Sequence, residues 1–314
     1  MKKEKKTSIL RWPVTVGGQA TWPIPEVFAV AGMTKTSEEL IRSEAGAEAL
    51  KEIEAGIKSK IYTGSDEHAH DEWMTKAAVY LENKHDPDLQ LVHLVNADHW
   101  QHETGINSKE TAEAVEEVDR QIGEISAATK DQGVCLIVLG DHGHADYKSV
   151  YNINVILKKH GLFQLNEKKE LISWKAIAHT SGSQAAIYIK NKADQENVHK
   201  IIKEELKDGF NILSQKEYKG LNIYPDADFV VISKIGYALS GGFKDTEIDI
   251  QKSPKATHGY LASSNEMKTV FLASGCGIKT KNIGKMSMLE VAPTIAHLMG
   301  MKLKSAVKKS ILQE

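Results

Sequence analysis

Val134-Cys-Leu-Ile-Val-Leu-Gly-Asp-His-Gly-His-Ala-Asp146 is the stretch whose reading decides the fold. An apolar run from Val134 to Leu139 ends in glycine and then in an adjacent acid–imidazole pair, Asp141-His142. A short, continuously apolar run rich in β-branched residues predicts a strand buried on both faces. In open α/β sheets the ligand crevice lies beyond the carboxyl ends of such strands, which is where Asp141 and His142 fall. Taken alone, the pair reads as a polar surface turn. Two other stretches change that reading.

Leu89-Gln-Leu-Val-His-Leu-Val-Asn96 reads as another strand, followed by Asp98-x-x-x-His102 in a polar loop, His99–Ser108. Thr257-His258-Gly259 stands in a return loop before a strand at Thr269–Ala273. Each pattern is weak by itself. Their shared setting is not, because neighbouring strands lie about 4.8 Å apart and ligands from adjacent strand ends can converge on one point. Mixed carboxylate and imidazole ligands suit zinc, with manganese or iron as alternatives.

Working outward, Ser8–Thr15 reads as a strand with a proline near its end, and Val27–Val30 is a short apolar run after Pro23 and Pro25. Thr36 or Ser37 caps a helix starting at Glu38, and Leu50, Ile53 and Ile57 continue at helical spacing. A helix from Asp66 carries Trp73, Ala77 and Leu81 on one face and closes before Pro87. A further helix turns Val115, Val118, Ile122 and Ile125 inward, and another is expected over Val150–His160, stopping at Gly161. The last helix has Pro293 in its first turn and Gly300 just past its end. The alternation predicts an α/β fold, mainly a parallel sheet with helices on both faces, in one domain spanning 1–314. Residues 165–250 form a smaller α+β excursion within it, with strands at Ala185–Lys190 and Phe229–Ile232 and a glycine loop at Gly236, Gly241 and Gly242.

Composition limits the function classes. A formal net charge of −2 gives no reason to expect a nucleic-acid polymer or an anionic membrane as partner. No apolar segment approaches the ~20 residues that span a bilayer. The basic N-terminus is broken by Arg11 and Pro13 before an apolar region forms, so no signal peptide is read and the cytoplasm is the default location. Cys135 and Cys276 supply no disulfide framework, and Cys135 reads as a small buried hydrophobe. His68, His70 and Asp71, with Glu67 and Glu72, read as a solvated helix start rather than a second metal cluster, and His144 and Asp146 either orient a ligand or are loop polars.

Leu91-Val-His-Leu-Val-Asn-Ala-Asp-His-Trp-Gln-His102, Gly140-Asp-His-Gly143 and Thr257-His-Gly-Tyr260 together resemble the type I phosphodiesterase/nucleotide pyrophosphatase family of the alkaline phosphatase superfamily. So do Glu266–Gly275 and Val291–Ala296, and the likeness runs in the family's order from about residue 70 to residue 300. The resemblance implies an alkaline phosphatase-like fold and two zinc ions, with Asp98, His102 and His258 on one and Asp141 and His142 on the other. It implies a small phosphodiester or nucleotide substrate, attacked by a threonine that one metal activates while the other stabilises phosphoryl charge. A phosphoryl-threonine is then hydrolysed by water.

The family pattern also begins with an Asp at the end of its first strand and a threonine at a helix start, and neither is matched here. No aspartate precedes Asp66, and Thr63-Gly64 lacks the strand-and-helix context of the nucleophile. The expectation is therefore a chain lacking the family's first strand and nucleophile region. One metal site keeps its three side chains and the other keeps half, so a single metal can bind, while turnover by this chain alone is weak or absent. A split gene, an interrupted reading frame, a partial gene model or a diverged pseudoenzyme each accounts for the missing piece, which would also carry any export signal; in the split case it is a partner supplied in trans. A sulfatase is disfavoured because neither cysteine stands in a Cys-x-Pro-x-Arg setting, and no extra recognition motif of a phosphomutase is seen. The alternative from a different class is a non-catalytic metal-binding protein that keeps the fold.

Overall fold

The structure is a computed structural model that describes residues 5–27, 36–44, 46–129, 133–206 and 208–312. Thr7–Leu10 forms β1, which pairs in parallel with β2 (Trp22–Ile24). Of the apolar stretch Val27–Val30, only Val27 lies within the described residues. Thr36 caps α1 (Ser37–Glu44) as its sequence predicts: the Glu39 amide donates to Thr36 Oγ1 at 3.2 Å, and the Glu39 carboxylate accepts from the Thr36 amide at 2.7 Å. That reciprocal pair is a capping box. α2 (Ala47–Ile57) buries Leu50 and Ile53. Asp66 caps α3 (Glu67–His85), accepting from the Ala69 amide at 3.3 Å, and Trp73, Ala77 and Leu81 are buried on its inner face. They pack with Leu10, Ile24, Leu50 and Ile53 in one apolar core.

β3 (Leu89–Val92) pairs in parallel with β1, giving the order β2-β1-β3. Beyond it the structure departs from the predicted loop. Residues Asn96–Thr104 form a helix, α4, so Asp98 and His102 stand one turn apart on a single helical face. α5 (Lys109–Thr129) buries Ala114, Gln121 and Ile125, whereas Val115, predicted to face inward, is 49% exposed.

β4 (Leu136–Leu139) follows, its four residues half-buried rather than covered on both faces. The reason is pairing. Among the described strands β4 bonds only to the late strand Phe271–Ser274, antiparallel, and β3 bonds only to β1, so each keeps an unpaired edge. A strand paired on one side leaves its apolar side chains partly open along the other.

The chain divides into two compact units, Met1–His99 with Ala112–Asp141 and Val270–Glu314, and Trp100–Thr111 with His142–Thr269. The 165–250 excursion falls inside the second. That unit opens with β5 (Ala145–Asn152) and α6 (Ile153–Lys159). The helix expected from Val150 thus begins three residues later, because Tyr147–Asn152 is drawn into pairing on both sides. Next come β6 (Phe163–Leu165), β7 (Leu171–Trp174), β8 (Ala176–Ser181), β9 (Gln184–Ile189) and α7 (Gln195–Glu205). β10 (Phe210–Leu213), α8 (Gln215–Gly220), β11 (Phe229–Ser233), β12 (Gly236–Ser240) and β13 (Asp249–Thr257) complete it. Gly236, expected in a loop, opens β12.

One antiparallel sheet has the order β10-β11-β9-β8, and a second sheet, β12-β5-β13, joins a parallel pair to an antiparallel one. Tyr151, Ile156, Ile187, Val198 and Phe229 lie in the core of this unit. Back in the first unit are β14 (Phe271–Ser274), paired with β4, and α9 (Val291–Leu298), with Pro293 in its first turn. Cys135 is not simply a buried hydrophobe. It is half-buried and forms a disulfide with Cys276, with the two Cα atoms 5.1 Å apart.

Candidate metal centre

Four histidines gather in the second unit. The antiparallel register pairs Thr257 with Ala145, and extending it one step brings His258, just past β13, opposite His144, just before β5. Directly opposed cross-strand residues are close neighbours, and the two rings lie 5.3 Å apart. His142 stacks on His258 at 3.7 Å with an interplanar angle of 15°, and its ring is 5.1 Å from His144. His102, in the last turn of α4, is 4.8 Å from His144 and 5.1 Å from His258.

The backbone around these rings explains the motif glycines. A Cβ on Gly143 would lie 2.0 Å from the Glu266 carbonyl oxygen, so no side chain fits between His142 and His144. Gly259 has φ +84°, a left-handed conformation that glycine adopts without strain. The Ser183 amide donates to the His258 carbonyl at 2.9 Å, pinning the segment that holds the ring. Tyr260 donates its phenol to the Tyr237 carbonyl at 2.8 Å, and burial pushes that phenol up to about 12, so it remains a neutral donor.

These residues fit a divalent cation. His102 Nδ1 lies 3.0 Å from the Ala256 carbonyl, an acceptor only, so Nδ1 carries the proton and Nε2 keeps the lone pair. A ring nitrogen tied to a backbone carbonyl is the usual support of a metal-binding histidine. His142, His144 and His258 each offer a ring nitrogen, and these lie within 4.8 Å of one another. Nitrogens sharing one zinc at about 2.0–2.1 Å in tetrahedral array are about 3.4 Å apart, and two ions of a paired site stand about 3.5–4 Å apart, so a spacing of this order suits one ion or two neighbouring ones. Imidazole donors suit zinc, copper, iron or nickel.

Of the predicted ligands, the structure brings together His102, His142 and His258. Asp98 is half-buried on α4 one turn before His102, and Asp141 is exposed directly after β4, both in the first unit. His144 joins the three histidines, where sequence left its role open. Its spacing of two from His142 was the available clue, since alternate residues of an extended segment share a side. Asp146 accepts from the Ile106 amide at 2.9 Å and so ties down the loop after α4. Thr63 stands in the irregular segment between α2 and α3, not at a strand-to-helix junction.

The predicted solvated helix start at Glu67–Glu72 is corrected by the structure. Asp71 is wholly buried, and Glu67 bonds the buried Arg11 guanidinium at 2.5 Å. Arg11 also lies 3.8 Å from Glu26 and 4.0 Å from Asp71. Burial raises the Glu26 and Asp71 carboxyls, the latter to about 6, against the pull of their cationic and amide neighbours. His70 sits 2.9 Å from the Gly64 carbonyl, with burial lowering its basicity. His68 instead approaches Glu117 and Glu72, with Arg120 bonded to both carboxylates.

The chain has a mixed α/β fold, and a family model defines its class. The type I phosphodiesterase/nucleotide pyrophosphatase family model matches residues 1–261, and the chain belongs to that family. Among curated proteins it is similar to an uncharacterized pyrophosphatase/phosphodiesterase of Schizosaccharomyces pombe, 23% identical over 232 residues, covering 70% of this chain and 46% of that one. Among solved structures it resembles murine ectonucleotide pyrophosphatase/phosphodiesterase 5, an inactive form in complex with AMP. The TM-score is 0.59 and the identity 19%, with 79% of this chain and 63% of the mouse chain covered. The human protein of the same name gives a TM-score of 0.58 at 17% identity, covering 79% and 63% of the two chains. The chain thus spans less than two thirds of the length of these relatives.

Proposed function

We propose that this chain carries the metal-binding part of a phosphoric ester hydrolase that cleaves phosphodiester or pyrophosphate bonds in small, nucleotide-like substrates. The observation that carries the reading is the convergence of His102, His142, His144 and His258, with His102 held in one tautomer by the Ala256 carbonyl. Asp98, His102 and His258 would hold one metal, and Asp141 and His142 the second, with zinc favoured over manganese by the imidazole content. Bound there, the metal would supply Lewis acidity toward a phosphoryl oxygen. The chain's own contribution is positional. α4 presents Asp98 and His102 one turn apart, and the β5–β13 register sets His144 against His258. The AMP complex of the murine relative supports a nucleotide as substrate class.

The nucleophile comes from outside the residues that match the family's motifs, on a further segment of the same protein or on a fragment in trans. Among the described strands β3 and β4 each keep an unpaired edge with half-buried apolar residues, which favours an added strand that would pair with and cover them. Among the described residues no helix is long and apolar enough to cross a membrane.

The test combines metal analysis with activity. The purified chain binds at least one zinc, His258→Ala lowers that stoichiometry, and bis-nitrophenyl phosphate is hydrolysed very slowly. Unchanged metal content in His258→Ala sinks the site. Robust turnover that survives Asp141→Ala sinks the assignment of a two-metal centre. Metal binding without hydrolysis, even after a candidate fragment is added, would favour the non-catalytic alternative.

A further inference from the structure

α4 carries Asp98 and His102, yet the residue preceding it, Val95, has no side-chain acceptor for the first helical amides. Those amides have no partner inside the helix and need one from elsewhere. Asp71, in the second turn of α3, provides it from 24 residues away. The Val95 amide donates to Asp71 Oδ1 at 3.0 Å and Oδ2 at 2.9 Å, and the Asn96 amide donates to Oδ2 at 2.8 Å.

Asp71 is itself 0% exposed, so it is held without competition from water. A negative group at a helix N-terminus is favoured by the helix dipole, and charged acceptors make the stronger hydrogen bonds. The Arg11 guanidinium at 4.0 Å adds a compensating charge. The Arg11 carbonyl lies 3.1 Å from His93 Nδ1, linking the ends of β1 and β3 to the same cluster. α4 therefore starts from a fixed point rather than from a loop that can slip.

We propose that Asp71 is a positioning residue for the metal centre: by clamping the first amides of α4 it sets the placement of Asp98, two residues beyond Asn96, and of His102 one turn later. This rests on the reading of Asp98 and His102 as ligands. Ligands must be held to within about 0.5 Å for a metal site to keep its affinity. A helix start released from its clamp exceeds that tolerance.

The experiment measures zinc affinity by competition with a chromophoric chelator, and the visible spectrum of the cobalt-substituted protein, on variants whose fold is checked by circular dichroism. Asp71→Asn keeps the volume but sets an amide N–H against a backbone N–H. It is expected to weaken zinc binding about tenfold or more, the scale of lost ligand support, with unchanged stoichiometry and shifted cobalt bands. Glu54→Gln removes a different buried carboxylate of the same unit and should lower stability while leaving affinity and spectrum alone.

If Asp71→Asn does not fold, Asp71→Glu keeps the charge one methylene out of place, and its affinity must also fall. A folded Asp71 variant with zinc affinity within twofold of wild type and the same cobalt spectrum overturns the proposal. So does an equal loss in Glu54→Gln, which would make the effect one of general stability. Failure of the underlying reading looks different: wild type binds no zinc, or His258→Ala binds it as well as wild type does.

Discussion

At the scale of single residues, the imidazole cluster separates what spacing can reveal from what only pairing can. Asp98-x-x-x-His102 was visible as a ligand pattern, and its i, i+4 geometry becomes real because α4 is a helix rather than the predicted loop. The spacing of His144 from His142 only hints at its role, because its place opposite His258 depends on the β5–β13 register, a contact between segments 114 residues apart in sequence. Its burial and its approach to His102, His142 and His258 give it a testable role. His144→Ala should weaken zinc binding at least tenfold, read by chelator competition. Binding should also fall as pH drops, because imidazole must be neutral to donate to a metal. Wild-type affinity in His144→Ala would reduce the residue to a packing neighbour.

At the scale of elements, helices with a strong apolar period were legible: α3 buries Trp73, Ala77 and Leu81, and α2 buries Leu50 and Ile53. Two readings failed for tertiary reasons. Val150–Asn152 reads as the start of a helix, but strands on both sides claim its backbone. Period alone turns Val115 inward, whereas the buried line of α5 runs through Ala114, Gln121 and Ile125. The packing of α1 on α2 contains an ion cluster that no period announces. Buried Glu54 accepts from Arg42 at 2.8 Å, Lys60 at 2.9 Å and the Ile61 amide at 3.1 Å. Burial alone would raise its carboxyl, but these donors outweigh it and lower it to about 2 from 4.5. A depressed acid stabilises the fold fully above its unfolded value and loses that contribution as pH falls toward the folded one. At about 1.4 kcal/mol per unit, discounted for the exposed lysine, this is worth about 2 kcal/mol. Glu54→Gln should therefore cost about that much at pH 7, with the gap to wild type closing between pH 4.5 and pH 2 in urea denaturation. A gap that is constant across that range would mean the loss is one of packing, not charge.

At the scale of the whole chain, the α/β class and family were legible in the strand-end motifs, whereas the covalent link was not. Cys135 and Cys276 are 141 residues apart, and nothing local in the sequence says that β4 and β14 bring them together. Their bridge joins the strand from which the chain leaves the first unit to the strand on which it returns, closing a loop that contains residues 142–269 of the second. Loop-closure entropy for a ring of this length gives about 5 kcal/mol, and native bridges typically deliver about 2–5 kcal/mol. Such a bond persists where the surroundings are oxidising. Protein made under those conditions should show no thiol reactive to Ellman's reagent until it is reduced, and then two. Reduction should lower the urea midpoint, and the double variant Cys135→Ser/Cys276→Ser should start at that lower midpoint and not respond to reductant. If reduction leaves the midpoint of wild type unchanged, the bridge does not constrain the unfolded chain, and the antiparallel pairing of β4 with β14 must hold the return strand by itself.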